Sequence, residues 1–126
     1  MLENRVGLSK VPDQHPHKSN PYKDLNLVAS LVKEAILSAG LGRLNQKIPL
    51  ADFIKPGQTV LIKPNWVIHY NPLSKDLDCL VTHHQFIVAV LKEVIAAQPG
   101  RIILVDVPLQ ICSIDTLVPE SWKKEI

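Results

Sequence analysis

The residues best suited to chemistry lie at the ends of two apolar runs. Lys63 and Asn65 directly follow the run 59–62, where a charge and an amide add nothing to packing, and Asp106 ends the run 101–106. A lysine offers a point charge to phosphate or carboxylate, and an aspartate can bind a metal or act as a general base. These residues predict a site for an anionic small molecule or a metal–anion complex.

The elements that position these residues alternate between strand and helix. The spacing of apolar residues predicts strands over 6–11, 59–62 and 101–106. It predicts helices over 22–39, from an N-cap at Thr82 to the stop at Pro99-Gly100, and from Ser113 or Asp115 to about 124. Alternation of this kind gives a parallel sheet with right-handed crossovers. The predicted fold is therefore α/β, a small three-layer β-α-β-α-β(-α) unit with a mainly parallel sheet.

Local signals sharpen several boundaries. Pro21 suits the start of the first helix and Gly40 the position just past its end. Residues 50–54 resemble a single helical turn, and 55–58 (Lys-Pro-Gly-Gln) suit a type II turn. The continuous apolar character of 59–62 is typical of a strand covered on both faces.

Parallel strands end at one edge of a sheet, where ligands bind in open α/β folds. The candidate ligand-binding residues at that edge are Lys63, Asn65, Thr82, His83, Asp106 and Gln110, and Lys10, Asp13, His15 and His69 should lie near them. The helix beginning after Thr82 would add free backbone N–H groups. Each residue also has a structural interpretation: Lys63 as a solvated lysine, Asn65 and Asp106 as loop caps, and Trp66 as a lid over apolar surface. His83 and His84 point in different directions, so no metal site is predicted.

Composition excludes several classes of function. The chain has 126 residues, of which 46% are apolar and 21% charged, with a net charge of +2. That charge is too small to favour nucleic acid, and no apolar run approaches the roughly 20 residues that span a membrane. Cys79 and Cys112 form no Cys-x-x-Cys pair, so no iron–sulfur cluster is expected within this chain. Glycine-rich phosphate and dinucleotide motifs are absent, and a cytoplasmic location is the expectation.

Several segments together resemble a bacterial and archaeal family, domain of unknown function 362. They are the start at 4–10, Lys55-Pro56-Gly57, the run 60–65 (Val-Leu-Ile-Lys-Pro-Asn), Thr82-His83 opening a helix, and 105–110 (Val-Asp-Val-Pro-Leu-Gln). The resemblance implies that 1–126 is one domain, the N-terminal part of a longer family domain, with 1–21 extended. Some members carry an appended ferredoxin-like iron–sulfur module. The turn followed by a strand is also similar, more distantly, to the N-terminal part of nickel-pincer racemases.

The chain departs from the family pattern after its third predicted strand. Family members commonly have Gly-Asp-Ser-Pro or Gly-Asp-Ala-Pro there, and this chain has Val105 and Val107 around Asp106. Bulky side chains would hinder close approach of a ligand to the backbone. The leading hypothesis is the ligand-binding portion of an enzyme. The alternative is a non-catalytic remnant or protein-interaction module that self-associates or binds a second chain along its sheet edges. The sequence indicates no particular substrate, reaction or cofactor.

Overall fold

The computed structural model describes residues 5–118 and contains mixed helices with a small parallel sheet. Its elements are α1 (Leu25–Ser38), β1 (Thr59–Ile62), α2 (His84–Ala96), β2 (Arg101–Leu104) and α3 (Ile114–Leu117), with 3-10 helices at Pro21–Lys23 and Pro49–Asp52. An α/β class agrees with this arrangement. Within 5–118, no helix combines the length and apolar character needed to cross a bilayer.

The two strands are hydrogen-bonded neighbours and run parallel. They pair over all four residues, from Thr59 opposite Arg101 to Ile62 opposite Leu104. The predicted strand 101–106 therefore ends two residues early, although the Val105 N–H still donates to the Ile62 carbonyl at 3.0 Å. The segments that follow β1 and β2 consequently leave the sheet at the same edge, as predicted.

A tight turn places β1 beside β2. The Gln58 N–H donates to the Lys55 carbonyl at 3.1 Å, and Gly57 between them has φ +85°. A type II turn needs this positive φ at its third residue, where glycine is unstrained. The Gly100 backbone lies so close that a Cβ there would come within 2.7 Å of the Gly57 carbonyl oxygen. The two glycines thus allow the strands to begin side by side.

One face of the sheet is covered by α2. Trp66, Ile87, Val88 and Leu91 are buried together as a core cluster. The sheet contributes partly buried residues to this cluster, namely Ile62, Ile102 and Leu104. Trp66 is 5% exposed, so it covers apolar surface as predicted.

The second layer forms where α1 packs on α2. Val28 and Val32 of α1 are buried against Ala89 of α2, whose small side chain lets the helices approach closely. α1 begins at an Asp24 cap whose carboxylate accepts from two backbone N–H groups, three residues later than predicted. It ends at Ser38, one residue earlier than predicted, and Gly40 lies just past the end of the helix as expected, with φ +86° and its N–H donating to the Leu37 carbonyl.

The prediction of a strand at 6–11 is wrong, since residues 5–12 form no regular element. The segment instead lies along the end of α1. Gly7 approaches the Ala35 carbonyl so closely that no side chain would fit there, and the Ser38 hydroxyl donates to the Leu8 carbonyl at 3.2 Å. Alternating apolar residues favour a strand, but the glycine lets this backbone dock on a helix. The β-α-β-α-β unit is therefore not seen, and two strands are present in the described range.

The prediction that β1 is covered on both faces is also wrong. Leu61 is 61% exposed and Val105 is 40% exposed, on the side of the sheet opposite α2. The apolar run therefore reflects one buried face and one bare face. Of the predicted final helix, α3 covers Ile114–Leu117, and the remainder from 119 lies outside the described residues.

Candidate functional site

Lys63 and Asp106 form an ion pair across the ends of the two strands. The Lys63 ammonium lies 2.6 Å from one Asp106 carboxylate oxygen. The aspartate side chain is 4% exposed, whereas the lysine side chain is 61% exposed. The pair joins two residues 43 positions apart because β1 and β2 are parallel and end together.

Asp106 also anchors the loops that follow both strands. Its carboxylate accepts from the Trp66 N–H at 2.6 Å and from the Val107 N–H at 2.8 Å. The hydrogen bond from Lys63 is the main cause that lowers the pKa of Asp106, and burial opposes that effect without reversing it. An ionised carboxylate with three donors has little capacity left for a metal. Asp106 therefore holds the site together more than it offers a ligand.

Two hydrogen bonds join the Asn65 backbone to Thr82. The Asn65 N–H donates to the Thr82 hydroxyl at 2.9 Å, and the Thr82 N–H donates to the Asn65 carbonyl at 2.8 Å. These bonds close the base of the long loop 66–81, whose ends also meet in a bridge between Trp66 and Val81. The prediction that Thr82 caps α2 is wrong, because its hydroxyl is occupied by this loop.

A groove of about 160 Å³ opens beside the ion pair. Its lining residues come from the two segments that follow the strands, namely Lys63, Asn65, Trp66, Val67, Asp106, Val107, Pro108 and Leu109. The Asn65 side chain is exposed and its amide makes no hydrogen bond to residues 5–118. The structure thus brings three predicted residues, Lys63, Asn65 and Asp106, to one groove.

His83 serves as the N-cap of α2 in place of Thr82. Its Nδ1 accepts from the Gln85 N–H at 3.1 Å, and its ring stacks on Tyr22 at a centroid distance of 3.9 Å. Burial and the neighbouring His84 lower the pKa of His83, so the neutral ring that can accept this bond is favoured. His83 lines a different groove, of about 240 Å³, together with Thr82 and Asp78. The sequence contains no local signal for the Tyr22 contact.

The remaining residues expected at the edge lie elsewhere. Lys10 pairs with exposed Asp13 at 3.1 Å, in the segment that docks on α1. His69 accepts at Nδ1 from the Ser113 N–H at 2.9 Å, which ties the loop 66–81 to the start of α3. Gln110 is exposed in a turn and does not line the groove beside Lys63. The residues predicted to share the carboxyl edge of the sheet are thus reduced to those that line the groove between the two strand ends.

The His15 side chain is engaged locally, since its Nδ1 accepts from the His17 N–H at 3.2 Å. Cys79 and Cys112 are unbridged thiols. Among residues 5–118, no group of three or more histidine, cysteine, aspartate or glutamate side chains is arranged to hold a metal ion.

Sequence reasoning missed Asp52 as an organiser of the linker before β1. Its carboxylate accepts from the backbone N–H groups of Gly42, Arg43 and Leu44, at 2.9, 2.9 and 3.0 Å. The bonds from Leu44 and Arg43 are the main causes that lower the pKa of Asp52. A lone aspartate eight to ten residues after the groups it binds leaves no recognisable pattern in sequence.

Comparisons of the chain with protein-family models, with curated proteins and with solved structures gave no match.

Proposed function

We propose that this chain is the ligand-binding portion of an enzyme and that it binds an anionic small molecule in the groove beside Lys63. The observation that carries the proposal is the environment of the Lys63 ammonium, which is fixed by a buried carboxylate while its side chain stays 61% exposed. An ammonium has three donors, and Asp106 takes one of them. The other donors can contact a ligand without breaking the ion pair.

Asn65 supports this proposal by its position and its lack of other bonds. Its side chain lies in the same groove, and an amide both donates and accepts. A carboxylate or phosphate bound by Lys63 could place a second oxygen against that amide. The carboxyl edge of a parallel sheet is also where α/β folds bind ligands.

Asp106 acts in the proposal as a positioning residue. It fixes Lys63 and, through Trp66 and Val107, both walls of the groove. Its negative charge also reduces the attraction of the site for a simple anion. We therefore expect weak binding of inorganic phosphate, with a Kd of roughly millimolar, equivalent to about −4 kcal/mol.

The proposal is tested by following backbone amide shifts of the full chain by NMR during titration with phosphate, acetate and Mg²⁺. We expect phosphate or acetate to shift the amides of Asn65, Trp66 and Val107. Lys63→Met should remove those shifts, because it keeps the aliphatic stem and deletes the charge. Lys92→Met, an equivalent change of an exposed lysine on α2, should leave them intact.

Two results would count against this function. Anion-dependent shifts that persist in Lys63→Met would place the binding elsewhere. Shifts caused by Mg²⁺ alone would favour the metal–anion alternative, with Asp106 exchanging its present partners for the metal.

A second candidate, a protein-interaction module, is favoured by the exposed apolar residues that follow β2. Val107, Leu109 and Ile111 are 89%, 54% and 64% exposed, on one short segment. An apolar segment of this kind often marks a contact surface. Light scattering of the full chain from 1 to 200 μM would distinguish this candidate, since ligand binding alone requires no association.

A further inference from the structure

We propose that His83 is a pH-sensitive latch at the start of α2. In its neutral form the side chain holds this end of α2 against the 3-10 helix Pro21–Lys23, and on protonation it turns toward acidic side chains of the loop 66–81. The proposal does not depend on anion binding at Lys63. It rests on the acceptor that His83 provides, on the rings that stack on its imidazole and on the acids across the neighbouring groove.

The hydrogen bond that caps α2 exists only while the His83 ring is neutral. Its Nδ1 accepts from the Gln85 N–H at 3.1 Å, and a ring nitrogen accepts only when it carries no proton. Protonation adds the proton at Nδ1, so that two donors then face each other across this distance. The new positive charge also lies at the N-terminus of a helix, where the helix dipole disfavours it. Protonation therefore removes the cap and opposes the present position of the ring.

Two neighbouring rings respond differently to a charge on His83. The Tyr22 ring stacks on the imidazole with a centroid distance of 3.9 Å and an angle of 7° between the planes. That contact tolerates a charged ring, since aromatic faces attract cations. The His84 ring stacks at 4.4 Å, and two imidazolium rings this close repel each other. The stack is therefore stable while at least one of the two histidines is neutral.

Acidic residues of the long loop before α2 offer the protonated ring another position. His83 and Asp78 line the same groove of about 240 Å³, and the charges of Asp78 and Asp76 both favour a protonated His83. The short helix α3 contributes only uncharged residues to this groove, Thr116 and Leu117. Within residues 5–118, the titratable side chains that face or act on the ring are thus Tyr22, His84, Asp76 and Asp78.

These influences decide the direction of the pH dependence. Burial and then His84 lower the pKa of His83 from the ordinary histidine value of 6.5, and Asp78 and Asp76 oppose that effect without reversing it. Because the folded pKa is the lower one, the cap contributes fully to stability above the ordinary value. Its contribution is lost as pH falls through the folded value. The latch is therefore closed at neutral pH and opens on acidification.

Opening the latch affects a larger apolar groove between α1 and α2. This groove has a volume of about 520 Å³, and its lining includes Tyr22 on one side and Phe86 on the other. Tyr22 loses its stacking partner when the His83 ring turns away, and Phe86 belongs to the first turn of α2, which loses its cap. Both sides of the groove thus lose a support at the same pH.

The first test follows the full chain by NMR from pH 7.5 to pH 4.5. We expect the Gln85 amide and the Tyr22 ring signals to change with the same midpoint as the His83 ring nitrogens. The exchange protection of the Gln85 amide, corrected for its intrinsic rate, should fall about fivefold, as expected for the loss of one N-cap. Nuclear Overhauser contacts between the His83 and Tyr22 rings should disappear over the same range.

Three variants separate the latch from a general effect of acid. His83→Asn keeps a side-chain oxygen for the cap and has no proton to gain, so the Gln85 and Tyr22 signals should no longer follow pH. Asp78→Asn removes a charge that attracts the protonated ring, so the midpoint should move to lower pH. His17→Asn, the same change in the loop before α1, should leave the response intact.

Three results would overturn the proposal. A Gln85 amide that keeps its signal and its protection down to pH 4.5 would show that the cap does not open. Contacts between the His83 and Tyr22 rings that persist after His83 is protonated would show that the charged ring stays in place. A pH response that His83→Asn retains would assign the change to another group.

Discussion

At the scale of single residues, the contrast between Lys63 and Asp106 explains how one ion pair can serve both structure and binding. Both partners belong to one salt bridge, yet one is almost fully buried and the other mostly exposed. Because the carboxylate is buried, it must find its hydrogen-bond donors within the protein, and three donors contact it. The exposed ammonium keeps donors for solvent or for a ligand. The sequence located both residues but could not distinguish these roles.

Asp106→Asn should destabilise the fold at neutral pH. Hydrogen bonds to a charged group contribute about 1.5–3 kcal/mol, so we expect a loss of about that size at pH 7. Because the pKa of Asp106 is lowered by folding, its contribution is present above the ordinary carboxylate pKa near 3.9 and is lost as pH falls through the folded value. The measurement is urea unfolding of both proteins at pH 7 and at pH 3.

The difference between the two proteins should therefore be smaller at pH 3, because the Asp106 carboxyl of the unfolded wild-type chain is then largely protonated and the ionised carboxylate of the folded protein contributes less stability. Glu34→Gln, a matched change of an exposed acid on α1, should alter stability little at either pH. A deficit in Asp106→Asn that stays constant with pH would mean that the carboxylate charge is unimportant.

At the scale of helices, strands and turns, the sequence predicted correctly those features that depend on residues close together in the chain. The turn at 55–58, the end of α1 before Gly40 and both sheet strands follow from residues that need a particular φ or burial. The prediction of a strand at 6–11 failed because the alternation of apolar residues there resembles that of a strand, whereas the position of the segment depends on a tertiary contact. Gly7 fits against Ala35, and a pattern of apolar residues cannot reveal that contact.

Gly7→Ala should release the N-terminal segment from α1. Its new Cβ would collide with the Ala35 backbone, which cannot move without unwinding the helix. We expect amide shift changes in the NMR spectrum at Ala35, Ser38 and Ala39, with β1 unaffected. Ser9→Ala, in the same segment but without a close approach, should cause much smaller changes. Amide shift changes centred on β1 would instead indicate that the segment pairs with β1 as a third strand.

At the scale of the whole molecule, the parallel direction of β1 and β2 was the most useful prediction from the sequence. It placed Lys63, Asn65 and Asp106 together from positions far apart in the chain. It could not exclude Gln110 or His83, because the paths of the loops after the strands are set by bonds such as Trp66 N–H to Asp106. Nor could it show the bare sheet face, since an apolar strand has the same sequence whether one face is covered or two.

The proposed site requires that the Lys63 ammonium is held by Asp106 and can still bind an anion. The most direct measurement is the NMR signal of the Lys63 side-chain nitrogen while phosphate is added to the full chain. We predict that the Lys63 Nζ resonance shifts in a saturable way while that of Lys92 stays still. A Lys63 signal that does not respond, while other lysines do, would contradict the proposed site.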